Sequence, residues 1–191
     1  MARPGLTPAW GAKWSPDHVI GYVRNSVDRQ TTSPTCELMV ARDDGSHART
    51  LFKAADSVHD CPQASLSPDG GSIAFTTEAR DAPDPALAVI NIATSRLRRV
   101  QVTTFSQPVW SPDSKRFAVG SRGVLTVAAG GGHVRKLGVA GPPVAWSRNG
   151  DLFITSGRSE GTVLWSSGGR RPARLLFRMP KNQSIVAVDA A

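Results

Sequence analysis

Four times along the chain a large apolar residue is followed by Ser and a run of turn-forming residues, and each time a β-branched or aromatic stretch comes next. The four copies are Trp14-Ser15-Pro16-Asp17, Leu66-Ser67-Pro68-Asp69-Gly70, Trp110-Ser111-Pro112-Asp113-Ser114 and Trp146-Ser147-Arg148-Asn149-Gly150. They lead into VIGYVR, SIAFTTE, RFAVGS and LFITSG, and their serines stand 52, 44 and 36 residues apart. A period of that size marks a chain assembled from stacked supersecondary units.

Each unit follows the same order. Pro presets φ for the turn, Asp bonds its own backbone and Gly accepts positive φ, so a tight hairpin turn is expected at each copy. A strand follows, then a loop, then a third apolar run (37–41, 86–93, 124–129 and 162–166). That run ends at a second turn: Asp43-Asp44-Gly45-Ser46, Ala93-Thr94-Ser95, Gly130-Gly131-Gly132 or Gly168-Gly169. A fourth run, ARTLF, RLRRV, VRKL or ARLLF, completes the unit. No window carries a sustained 3.6-residue apolar stripe, and the 18 Gly and 14 Pro fall mainly at these turns. The pattern predicts an all-β chain of four-stranded antiparallel meanders with almost no helix. One such sheet cannot bury both faces alone, so neighbours must stack, and radial stacking gives a β-propeller.

The repeated segments SLSPDGGSIAF, VWSPDSKRFAV, ELMVARDDGSHARTL and VLTVAAGGGHVRKL resemble the WD-like propeller repeats of the TolB family and, in pattern, the propellers of prolyl oligopeptidase-type peptidases. The resemblance runs over about residues 8–178. It implies a binding scaffold with a protein partner, as TolB is in a bacterial envelope complex, and a periplasmic or other extracytoplasmic setting. The chain departs from TolB in two respects: it has no N-terminal α/β domain, and four units stand where TolB-like rings have six. The expectation is one propeller domain, 8–178, with blades at 8–56, 57–103, 104–139 and 140–178. Residues 184–188, within 179–191, read as one more strand, either opening a further blade or pairing along an edge. Four units in 191 residues fit a compact ring or an incomplete, open propeller, whose unpaired edges would leave self-association available.

With the first strand of each blade at the axis and the fourth at the rim, alternate connections fall on opposite faces. The Ser-Pro-Asp turns and the Gly turns share one face; the second-to-third loops and the blade crossings share the other. The two longest second-to-third loops, 25–35 and 79–85, lie on that second face, and extra loop length on one face of a repeat protein marks the binding side. The candidate contact set is the charge on these loops: Arg24, Asp28, Arg29, Glu78, Arg80, Asp81, Asp84, Arg122, Arg158 and Glu160. Taken singly, each also reads as a solvated loop charge.

The net charge is +8 and unevenly spread: residues 1–96 carry −2 and residues 97–191 carry +10. A basic side suits nucleic acid, an anionic surface or an acidic protein, and equally an Arg-rich solvated surface. The clusters fall on fourth strands, where charge discourages edge-to-edge aggregation, and few aromatics interleave with them, so no specific nucleic-acid partner is expected. The longest apolar runs, 86–93 and 124–129, are strand-sized, so no membrane span is expected, and the N-terminus shows no apolar signal segment. Cys36 and Cys61 are too few for a disulfide framework and lack zinc-ligand spacing. Both fall on the long-loop face, which leaves one bridge or two thiols open; a bridge would argue for an oxidising compartment.

Other motifs carry little chemistry. Gly157-Arg158-Ser159-Glu160-Gly161 matches the G-x-S-x-G nucleophile elbow, but the elbow needs a helix after it and Thr162 onward reads as a strand, so a hairpin loop is expected. No pair of His18, His47, His59 and His133 has metal spacing, and His59-Asp60-Cys61 is too contiguous to converge on one ion. Asp43-Asp44-Gly45 lacks the further ligands of a calcium loop and reads as a turn. Trp14, Trp110 and Trp146 recur at one position of the repeat, which argues for blade packing over a sugar cage; Trp165 reads as third-strand packing. No catalytic residue, cofactor or metal is expected. The leading reading is a non-enzymatic protein-interaction scaffold. The alternatives are an accessory or gating propeller of a hydrolase, and a carbohydrate or cell-wall site in the axial tunnel.

Overall fold

A computed structural model describes residues 13–14, 18–27, 34–54, 61–77, 86–104, 106–158, 161–167 and 174–178. The extra strand expected at 184–188 lies outside them. The described residues hold sixteen strands and no helix, in four antiparallel sheets, each built from four consecutive strands. The first sheet is β1 (Lys13–Trp14), β2 (Val19–Val27), β3 (Pro34–Arg42) and β4 (Arg49–Lys53). The second is β5 (Ala64–Leu66), β6 (Ser72–Thr77), β7 (Ala86–Asn91) and β8 (Leu97–Thr103). The third comprises β9 (Val109–Trp110), β10 (Arg116–Gly120), β11 (Val124–Ala128) and β12 (Val134–Lys136). The fourth comprises β13 (Pro143–Trp146), β14 (Leu152–Arg158), β15 (Gly161–Ser167) and β16 (Arg174–Arg178). These are four propeller blades, the all-β architecture that the repeat predicts. No described strand enters a sheet from another part of the chain, as suits an incomplete or open propeller. The chain forms two compact units, Met1–Gln101 with the first two blades and Val102–Ala191 with the last two.

The Ser-Pro-Asp turn is built from its own residues. Backbone bonds join Ser67 and Ser72 (2.8 Å), Ser111 and Arg116 (2.9 Å), and Ser147 and Asp151 (2.8 Å), the serine N–H donating each time. The same serine's hydroxyl oxygen accepts the returning N–H of Ser72 (2.9 Å), Arg116 (3.2 Å) or Asp151 (3.0 Å). The Asp two residues on accepts the N–H of Gly71 (3.0 Å) or Lys115 (3.1 Å). The fourth residue after the leading apolar one is left-handed in all four copies: His18 (φ 58°), Gly70 (72°), Ser114 (56°) and Gly150 (81°). Two of the four pay the Cβ penalty that Gly avoids. The turn is therefore specified by hydrogen bonding more than by glycine.

Where side chains are described, burial falls from the first strand of a blade to the fourth. The first strands β5, β9 and β13 are buried or half-buried, whereas β12 is wholly exposed and β4 and β8 mostly so. The first strand is thus inner and the fourth outer. In the first unit the blades meet through Leu38, Val40, Ala64, Leu66, Ile73, Phe75, Ala88 and Ile90, and Phe52 tilts against Phe75 with ring centroids 4.9 Å apart. Gly21 sits at the inner end of this seam: a Cβ there would lie 3.2 Å from Ile73 Cδ1. In the second unit Ala118, Val124, Leu137, Trp146, Leu152 and Ile154 form the corresponding cluster.

The repeated tryptophans pack as expected where their side chains are described. Trp110 is buried against Phe117 at 4.9 Å. Trp146 donates its indole N–H to the Val109 carbonyl of the preceding blade (2.9 Å), with the Arg116 guanidinium 4.8 Å above its ring. The side chains of Trp14 and Trp165 lie outside the described residues.

Candidate interaction face

The β2–β3 loop is held on an extended hairpin. Strands β2 and β3 pair over nine residues, from Val19 opposite Arg42 to Val27 opposite Pro34. The expected loop, 25–35, therefore shrinks to 28–33. Proline is tolerated as the first residue of a strand, so Pro34 opens β3 where its presence had suggested loop. The register sets Arg24 opposite Glu37 and Asn25 opposite Cys36. Arg24 Nε donates to Glu37 Oε2 (2.8 Å), and a second guanidinium N–H donates to the same oxygen. Arg24 is thus an exposed strand residue with a partnered charge, at the mouth of the loop.

The base of the hairpin is cross-linked. Cys36 and Cys61 form a disulfide with Cα atoms 5.4 Å apart, tying the third strand of the first blade to the segment that enters the second. Ala54 N–H donates to the Cys36 carbonyl (2.9 Å), and Val23, Phe52 and Ala54 pack with the two cysteines.

Arg122 lies on the second-to-third connection of the third blade. It is exposed on the turn 121–123 that joins β10 to β11, where Ser121 N–H donates to the Gly123 carbonyl (2.8 Å). The blade crossing is bonded to this turn: Thr104 Oγ1–H donates to the Gly120 carbonyl (2.9 Å), and Gly120 N–H donates to Ser106 Oγ (2.6 Å). A Cβ on Gly120 would come within 3.3 Å of the Pro142 backbone and 3.1 Å of Ser106 Oγ. These bonds put crossings and second-to-third turns on one face.

Arg158 ends β14, paired with Gly161, so the hairpin loop there is only residues 159 and 160. Since Gly161–Ser167 is strand β15, the G-x-S-x-G segment is a hairpin and lacks the strand–turn–helix geometry of a nucleophile elbow. Asp28, Arg29, Glu78, Arg80, Asp81, Asp84 and Glu160 lie outside the described residues. Of the ten charges read from the sequence, only Arg24 and Arg122 have described side chains. Glu37, Thr104 and Ser106, which position them, carry no sequence signal beyond their place beside a turn.

Among the described residues no three His, Cys, Asp or Glu side chains group as metal ligands. Cys61 is disulfide-bonded and offers no thiolate beside His59 and Asp60. Asp43 accepts from His18 Nδ1 at 2.6 Å, and Asp44 Oδ1 accepts Ser46 N–H at 2.7 Å, as in a closed turn. The Asp44 carboxyl is held below its ordinary value by the Ser46 hydroxyl and N–H.

The chain is a β-propeller of TolB-like blades. TolB from Acinetobacter baumannii matches it with a TM-score of 0.65 at 18% identity, over 93% of this chain and 45% of that one. A putative TolB from Agrobacterium tumefaciens matches with a TM-score of 0.62 at 14% identity, covering 87% and 64%. The propeller domain of the Trilobed protease from Pyrococcus furiosus, described as having an open velcro topology, matches at 0.62 and 12% identity, covering 84% and 54%. The chain therefore spans less than half of the first of these proteins and under two thirds of the other two. No protein-family model matches the sequence, and no curated protein matches it. Among the described residues no helix is long and apolar enough to cross a membrane.

Proposed function

We propose that this chain is a non-enzymatic scaffold that binds a protein partner through the end of the first blade that carries the β2–β3 loop. The observation that carries the reading is the anchoring of that end. A nine-pair hairpin, the Arg24–Glu37 ion pair and the Cys36–Cys61 bridge all converge at the base of one loop. A preformed base lowers the ordering cost that a loop incurs on binding. The likeness to TolB supports the reading at the level of fold.

The test is affinity capture with the intact chain, with residues 28–33 deleted, and with the turn Asp43-Asp44-Gly45-Ser46, at the other end of β3, rebuilt. Loss of the captured partner in the first variant alone is the expected result; retention there sinks the proposal. The likeness to a protease propeller favours a second reading, an accessory propeller of a hydrolase. A hydrolase domain encoded next to this segment would support it.

A further inference from the structure

The sign of the charge on the outer strands is not explained by edge protection. The outer strands RTLFK, LRRVQVT, VRK and RLLFR hold eight Lys/Arg and no Asp/Glu in 20 residues. The other twelve strands hold five Lys/Arg in 65 residues, one of them the Arg24 that Glu37 neutralises. Charge of either sign would keep an exposed edge from pairing, yet every outer strand has two cations. Arg49, Lys53, Arg98, Arg99, Arg135 and Lys136 are all exposed, and none forms a salt bridge to a described carboxylate. Within the first unit the outer strands of both blades are brought together: Arg49 donates to Ser95 Oγ (2.9 Å) and to the Ile92 carbonyl at the turn leading into β8.

We propose that within each unit the outer strands form a binding surface for an acidic polysaccharide, a polymer with one carboxylate per sugar or a similar density. Six of the eight cations are Arg, whose planar fork suits carboxylate oxygens. In the first unit the one aromatic of the outer strands, Phe52, is turned into the blade seam against Phe75, so recognition there rests on charge and not on base stacking, which disfavours single-stranded nucleic acid. The Cys36–Cys61 bridge is of the kind that persists in oxidising surroundings outside the cytosol, which supports a polysaccharide over nucleic acid. This surface is distinct from the loop face and is independent of the protein-partner reading.

The experiment titrates the intact chain with alginate, with duplex DNA and with phosphatidylglycerol vesicles, at several salt concentrations. Two variants with equal charge loss are compared: Arg98→Gln/Arg99→Gln on the outer strand, and Lys115→Gln/Arg148→Gln on exposed turns. Alginate is expected to bind most tightly, with an affinity that falls as salt rises. The outer-strand variant should lower the log–log salt slope by about 1 per charge removed, while the turn variant leaves binding within about twofold of the parent. Equal or tighter binding to DNA or to vesicles overturns the proposal, as does equal weakening by the two variants. If Arg98→Gln/Arg99→Gln fails to fold by circular dichroism, Arg135→Gln/Lys136→Gln replaces it, and unchanged alginate binding by that variant is equally fatal.

Discussion

The Cys36–Cys61 disulfide joins the third strand of the first blade to the segment entering the second, across 25 residues of sequence. It closes a loop of the unfolded chain containing all of β4, and the chain-entropy estimate for a loop of that size is about 3 kcal/mol of stabilisation. Reduction should therefore lower the urea midpoint of the first unit by an amount equivalent to about 3 kcal/mol, and Cys36→Ala/Cys61→Ala should unfold at the same reduced midpoint with or without reductant. A midpoint that does not move on adding dithiothreitol would show that the bridge is unimportant to folding.

Gly120 tests how tightly the loop face is built. A Cβ there would press on Pro142 backbone and on Ser106 Oγ, which holds the crossing to the β10–β11 turn. Overpacking of this kind costs about 1–3 kcal/mol. Gly120→Ala is expected to lower the thermal midpoint of the second unit, and an unchanged midpoint would mean that the crossing yields freely.

How much of this was legible in the sequence depends on whether the determinant is local. The Ser-Pro-Asp turns were, because Ser111, Asp113 and Arg116 satisfy one another within six residues. The length of the β2–β3 hairpin was not, since Asn25, Ser26 and Pro34 are poor strand formers that nine-pair register carries along. The Arg24–Glu37 pair follows from that register alone. The bridge was half legible: repeat order puts both cysteines on one face, but only the approach of two blades brings their Cα atoms to 5.4 Å. The sign bias of the outer strands was visible as a half-chain charge imbalance, and became a surface only once burial separated inner from outer strands.

The left-handed turn position offers a paired prediction. Gly150 (φ 81°) has ordinary space for a Cβ, the nearest atom being an Arg116 guanidinium nitrogen at 3.5 Å, so Gly150→Ala isolates the conformational penalty of about 1 kcal/mol. Gly45 (φ 79°), in the β3–β4 turn, has nothing within 4 Å of an added Cβ, so Gly45→Ala should cost the same amount of about 1 kcal/mol. Chemical denaturation of both variants checks the pair; a loss at Gly150 well above that at Gly45 would show that the Arg116 contact adds to the backbone penalty.

Asp113 gives the acid limb of the stability curve a defined contributor. Its carboxyl is held below the ordinary value of 3.8, first by the Ser111 hydroxyl 2.6 Å away and further by the Lys115 N–H and the charges of Arg116 and Lys115. A carboxyl with a folded value below its unfolded one binds fewer protons in the fold, so its contribution is complete above 3.8 and is lost as pH falls through the folded value. Asp113→Asn keeps the turn's shape and an acceptor oxygen but removes the titration. The stability difference between parent and variant should be constant above about pH 5 and shrink toward about pH 2. Measured by urea unfolding across that range, a difference that stays flat to the acid end would show that the Ser111 contact does not favour the charged carboxylate.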